Sequence, residues 1–191
     1  MSVSADAAAD SPRKRELLAA AYGYALTNGL ADFSLRPLAQ AIGSSPRVLL
    51  FLFGSKDGLT RALLARARED QLAVLAALRA RQLDADLAAT AREVWAWLAA
   101  PEHRSLLVLW LEGYARSLLG EPGPWERFAR DTVNDWLGLL AQSQPGGPET
   151  EAREAERTLL LAVLRGAMLD VLATGDIDRV TRAVELHLAT L

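Results

Sequence analysis

The sequence predicts an all-α chain, and three observations carry that prediction. Apolar residues recur at three- and four-residue intervals, the spacing that places side chains on one face of a helix. Gly and Pro punctuate the segments where a helix would stop or start. A tight turn at Ile42-Gly43-Ser44 separates two short helical stretches, which is the outline of a helix-turn-helix. The expected organisation is a disordered tail over 1–10, a three-helix helix-turn-helix domain over 11–55, and a larger all-helical domain over 56–191.

Residues Met1 to Asp10 are small and acidic, with no basic start before an apolar core, so they read as a tail and not as a secretory signal. A first helix follows from Pro12 to Asn28. Ser11 caps it, Pro12 takes a first-turn position where its missing N–H costs nothing, and Asn28-Gly29 ends it. The first short helix runs from about Leu35 to Ala41. Ser34 is its expected N-cap, and Leu35, Leu38, Ala39 and Ile42 line one side. Gly43 reverses the chain, Ser45 caps the second short helix, and Pro46 opens it toward Phe53. Ser55 begins a long helix, with Asp57 in the first turn where the helix dipole favours an acid. That helix extends to about Gln82, using Leu72, Leu75 and Leu78 for packing, and is the mechanical link between the two parts. Beyond it, helices are expected at Asp86–Ala99, Pro101–Leu119, Pro124–Gln142, Glu149–Thr174 and Ile177–Ala189. Residues 144–148 form a flexible loop, and Thr174-Gly175-Asp176 makes a tight reversal.

Charge is distributed unevenly. Between Ser11 and Arg68 stand nine Lys or Arg against three acids, a net of +6, while the whole chain is −3, which leaves −9 for the rest. A local positive field of this kind is what a phosphate backbone feels. The absence of cysteine excludes disulfides and thiol chemistry and fits a cytoplasmic protein. No apolar run reaches the eighteen or so residues of a membrane span, so no membrane partner is expected. Two well-separated histidines, no Gly-rich phosphate loop and no HExxH pattern argue against an enzyme, and no cofactor or metal is implied. Asp84 and Asp86 look like caps.

The second short helix offers Ser44, Ser45 and Arg47 at its start and then an apolar run, Val48 to Phe53. Leu50 is placed to meet a thymine methyl, and Lys56 to meet a phosphate beside helix-start N–H groups. The candidate DNA-contacting set is Ser34, Arg36, Ser44, Ser45, Arg47, Leu50 and Lys56. Arg13-Lys14-Arg15 is either a further phosphate contact or a solvated charge cluster. In the larger part, Trp95, Trp110, Tyr114 and Trp136 are candidates to line a small-molecule cavity, or else plain core. Glu112 and Arg116, four apart, form an intrahelical pair or a pocket ion pair. His103 is expected to be exposed. Leu159, Ala162, Val163, Gly166, Leu169 and Leu172, then Val180, Ala183, Val184 and Leu188, give the last two helices apolar stripes. Leu160, Leu161, Leu164 and Met168 widen the first beyond what one protomer's core needs, which points to a homodimer through a two-fold interface.

From Arg13 to Leu64 the segment resembles the DNA-binding domain of the TetR family of bacterial one-component transcriptional regulators. The resemblance rests on a long first helix, Phe33 near its end, the LAQAIGSSPR helix and turn, and a hydrophobic helix ending in Phe53-Gly54-Ser55-Lys56 and running into Leu59. It departs from the family's pattern at Leu50 and Leu52, where a tyrosine and another aromatic or a histidine are usual. The resemblance implies a dimer joined through a four-helix bundle of the last two helices, with double-stranded DNA and a small-molecule effector as partners. The reading helices would then meet half-sites about one helical turn, roughly 34 to 36 Å, or a multiple of it apart. The function expected is a ligand-responsive regulator, most simply a repressor released from a partly palindromic operator. The alternative is a dimeric helical module that binds a small molecule or a protein and carries a degenerate helix-turn-helix.

Overall fold

Helix α1 (Pro12–Asn28) starts as its residues dictate. Ser11 lies in extended backbone and its hydroxyl accepts from Lys14 N at 3.2 Å, with Pro12 opening the first turn. Its inward face is Leu17, Ala21, Tyr22 and Ala25. Gly29, at φ 74°, then turns the chain in a conformation that side chains resist. This description comes from a computed structural model and covers residues 11–30, 33–81, 86–144 and 148–191. The expected tail, the end of the long helix at Gln82, Asp84, and the loop residues Pro145-Gly146-Gly147 lie outside the described residues, as do the side chains of Leu75 and Leu78.

Helices α2 (Leu35–Ala41) and α3 (Pro46–Phe53) form the short pair. Gly43 takes φ 63°, and Ser44 N donates to Ala39 O at 2.8 Å, which closes the turn. Ser45 caps α3 by accepting from Val48 N at 3.3 Å. Ser34 occupies the cap position of α2 with extended backbone, but its hydroxyl makes no capping bond, which corrects the expectation for that residue. Helix α4 (Lys56–Arg81) is capped by Ser55, whose hydroxyl accepts from Gly58 N at 2.9 Å. Leu59, Leu63, Leu64 and Ala67 make its buried side.

The remaining helices are α5 (Leu87–Ala99), α6 (Arg104–Leu118), α7 (Phe128–Gln142), α8 (Glu151–Thr174) and α9 (Ile177–Leu188). Three starts differ from expectation: α8 begins at Glu151, two residues late, with Thr150 as its cap accepting from Arg153 N at 3.3 Å. Pro101–His103 is a separate 3₁₀ turn ahead of α6, held by His103, whose ring stacks on Trp97 at 4.4 Å and whose Nδ1 lies 2.8 Å from Trp97 O. His103 is thus half-buried and not exposed. Helix α7 begins at Phe128, four residues after Pro124. The Arg116 guanidinium stacks over buried Trp125 at 4.9 Å, Arg127 takes φ 65°, and Ser117 of α6 accepts from Ala129 N at 3.1 Å. A serine from another helix therefore satisfies an orphan donor of α7's first turn.

The chain forms two compact units. One holds the described residues up to Glu69 together with Val108–Ala129, and the other holds Asp70–Leu107 with the described part of Arg130–Leu191. Helices α4, α6 and α7 each run from one unit into the other. In the second unit α5, α8 and α9 pack on one another. Its core includes Ala91, Val94, Trp95 and Leu98, with Leu160, Leu161, Leu164 and Met168. Val180, Val184 and Leu188 are also buried inside the protomer, so the outward apolar stripe expected from them is not there. Gly175, at φ 73° and ψ 1°, makes the reversal into α9, and Asp176 caps it by accepting from Arg179 N at 3.1 Å.

Candidate functional site

Helix α3 divides cleanly. Leu49 and Phe53 turn into the core of the first unit, while Arg47, Leu50 and Phe51 share the outward face at i, i+3 and i+4. Phe51 is 77% exposed and Leu50 42%, with Val48 at the edge of the same face at 38%. The three are contiguous and make a small exposed apolar patch beside Arg47. The exposed cations Arg36, Arg47 and Lys56 lie on α2, α3 and the start of α4, and none of the three makes an ion pair among the described residues. Ser34 is exposed, and Ser45 is committed to its cap. Ser44 Oγ is buried with no hydrogen-bond partner among the described residues. The basic start of α1 is partly engaged within the unit: Arg13 pairs with Glu16 at 2.8 Å, and Lys14 Nζ sits 5.4 Å from the Phe53 ring centroid. Phe51 was not among the residues the sequence singled out. Its position four after Arg47 was the available signal.

Glu112 of α6 departs from both expected pairings. Its carboxylate accepts from Leu30 N and lies against Gly29, where an added Cβ would stand 2.7 Å from Glu112 Oε1. Arg116 instead pairs with Glu121 at 3.1 Å. Charge-assisted bonds from carboxylate to backbone N–H are among the stronger hydrogen bonds. Here one ties the α1–α2 junction to α6.

The four candidate cavity aromatics are divided between the two units. Trp110 and Tyr114, in the first unit, stack at 4.7 Å, and Trp110 Nε1 is buried with no partner among the described residues. Trp95 and Trp136 belong to the second unit, where both are buried and Trp95 Nε1 donates to Thr181 Oγ1 at 3.0 Å. Two cavities of the second unit have other walls. One, of about 320 Å³, has mixed walls, with Asp86, Gln144, Arg153 and Glu156 beside Leu87, Ala88 and Leu191. The other, of about 200 Å³, is apolar, walled by Leu98, Leu107, Val171 and Ile177 with Arg104 at its edge. Arg104 Nη2 donates to Leu172 O at 3.0 Å, a carbonyl of α8's last turn. Among the described residues no group of His, Cys, Asp and Glu is arranged to hold a metal ion, and no helix is long and apolar enough to cross a membrane.

A second exposed apolar surface lies on the last two helices. Leu159, Ala162, Gly166, Leu169 and Ala173 are exposed at alternating steps of three and four along α8, and Ala183 and Leu186 are exposed on α9.

No protein-family model matches the sequence, and no curated protein matches it. Solved structures do. The multidrug-binding protein EbrR, crystallised with imidazole, aligns over 95% of this chain and 92% of its own, with 24% identity and a TM-score of 0.68. A candidate TetR-family transcriptional regulator from Rhodococcus sp. aligns over 93% of this chain and 100% of its own, with 17% identity and a TM-score of 0.64. A transcriptional regulator from Rhodococcus sp. Rha1 aligns over 93% and 94%, with 19% identity and a TM-score of 0.68. The fold is therefore that of TetR-like regulators across nearly the whole chain, as the resemblance of residues 13–64 implied for part of it.

Proposed function

We propose that this protein is a ligand-responsive transcriptional regulator, a repressor that binds a partly palindromic operator as a homodimer and is released by a small-molecule effector. The observation that carries the reading is the outward face of α3, with Arg47 exposed on it and Arg36 and Lys56 exposed on the neighbouring helices. An α-helix with its side chains is about 10 to 12 Å across, which the major groove of B-DNA, about 12 Å wide, admits. The TetR-like fold supports the same reading, as does the apolar stripe on α8 and α9, which a second copy would cover and so double the reading helix. Helix α4 runs unbroken from the first unit into the second and is the covalent route by which an effector would bias the reading helix. A differential of about 1 to 3 kcal/mol would change operator affinity roughly 5- to 150-fold.

The apolar character of Val48, Leu50 and Phe51 favours a second reading, a dimeric small-molecule or protein-binding module whose short helix pair no longer engages DNA. Salt dependence separates the two. A backbone clamp loses duplex affinity steeply between about 50 and 200 mM salt. Absence of duplex binding at the lower salt would leave the module as the function.

A further inference from the structure

We propose that α3 reads thymine through the C5-methyl group, with Leu50 and Phe51 as the specificity-determining side chains. This rests on the DNA-binding reading above and names what in the duplex is recognised.

Hydrogen-bond readout of a base edge needs a donor or acceptor on the helix face that enters the groove, and Arg, Asn or Gln usually supply it. Beyond Arg47 the outward face of α3 has none: Leu50 and Phe51 follow, Val48 flanks them, and Gly54 completes the face at i+7. Ser44 Oγ is buried, and the Ser45 oxygen accepts from Val48 N, which leaves the Ser45 O–H, ahead of Arg47, as the one hydroxyl donor at the start of this face. The major-groove floor presents one apolar group, the thymine methyl. An exposed leucine and an exposed phenylalanine match it in chemistry. The partner is a nucleic acid rather than an apolar protein surface because of what frames the patch. Three exposed cations without ion pairs among the described residues, Arg36, Arg47 and Lys56, border it, in a segment of net charge +6. Orientation then comes from the phosphates, and discrimination from methyl contacts, with Arg47 as the one side chain on the outward face of α3 able to pair with guanine.

The required operator has thymines at two steps of each half-site, and removing a methyl from either weakens binding. Taking about 0.8 kcal/mol per buried methylene-sized group, each loss is about fourfold. The test uses the full chain. Duplexes selected from a random pool are resynthesised with single thymines replaced by deoxyuridine, which differs only in lacking the methyl, and affinity is read by fluorescence anisotropy. The proposal expects about fourfold weakening at two positions per half-site. In Leu50→Ala one of the two deoxyuridine penalties should vanish, and in Phe51→Ala the other. Both residues are exposed, so the variants should retain wild-type helicity by circular dichroism, which is checked first. Salt-sensitive duplex binding with no deoxyuridine penalty, or with penalties unchanged in both variants, would overturn methyl readout and leave DNA binding standing. No selected duplex and no salt-sensitive binding would overturn both.

Discussion

Single residues already separate two kinds of contact. Lys56 is exposed at the first position of α4, beside helix-start N–H groups, and suits a phosphate. Lys56→Ala should weaken binding by a similar factor on operator and on random duplex, and lower the salt slope by about one. Arg47→Ala should weaken the operator more than random DNA, because Arg47 faces outward next to Leu50. A gel-shift series in which both variants bind as wild type would remove these two residues from the interface. Gly29 has a structural role. With φ 74° and ψ −176° it occupies a region almost reserved for glycine, and a Cβ there would meet Glu112 Oε1 at 2.7 Å. Gly29→Ala should cost about 1 to 3 kcal/mol in urea unfolding. Part of that cost should be relieved in the Gly29→Ala, Glu112→Ala double variant, since contacting residues are not additive. Strict additivity would show that the carboxylate is not the obstacle. Such contacts were not legible beforehand. Glu112 with Arg116 has the spacing of an ordinary helix pair, and nothing in the sequence places Leu30 N eighty-two residues away within reach.

At the scale of the element, most helix ends were legible because their signals are local. Ser11, Ser45, Ser55, Asp86 and Asp176 all cap as read. Ser34 fails by making no capping bond, α8 starts two residues late, and the failures at α6 and α7 have partners in other helices. Pro124 carries a first-turn signal, but the Arg116–Trp125 stack and the Ser117 hydroxyl hold the chain open until Phe128. The α7–α8 connection shows a further long-range device. Arg157, buried, donates bidentately to Glu149 at 2.7 and 3.2 Å and to Gln144 Oε1 at 2.8 Å. The hydrogen bond from Arg157 holds the Glu149 carboxyl below its ordinary value of 4.5. Arg179, through its hydrogen bond, likewise holds Asp170 below 3.8. Lowered carboxyl values mean that the folded form binds protons less readily than the unfolded form. The pairs therefore contribute fully at neutral pH, and their contribution falls away as pH drops below about 4.5 toward the folded-state values. The melting-temperature difference between wild type and Glu149→Gln should accordingly be constant from pH 7 to 5 and shrink on further acidification. A difference that stayed constant down to pH 3 would show that the pairing is not what separates them. Arg157→Ala should cost about 1 to 3 kcal/mol, mainly by stranding the buried Gln144 oxygen.

For the whole molecule the proposed repressor needs two copies. Of the α9 residues the sequence pointed to, Val180, Val184 and Leu188 satisfy the protomer's own core and only Ala183 is exposed. Periodicity reveals that a helix has apolar faces; it does not say which one the protomer keeps. What remains outward is Leu159, Ala162, Gly166, Leu169 and Ala173 with Leu186, the last 75% exposed. Leu186→Glu should convert a dimer to a monomer in multi-angle light scattering and abolish tight operator binding while leaving helicity unchanged. A dimer of wild-type stability in that variant would move the interface elsewhere. The same structure sets a rule for exchanging parts between relatives. The unit that carries α3 is assembled from two separate stretches of chain, because Glu112 lies against Leu30 and Gly113 against Leu64 from a segment some forty residues downstream of α4's first half. A recombinant that borrows only the first seventy residues would set its new head on a foreign bed. A working transplant has to carry residues 108–129 along with it.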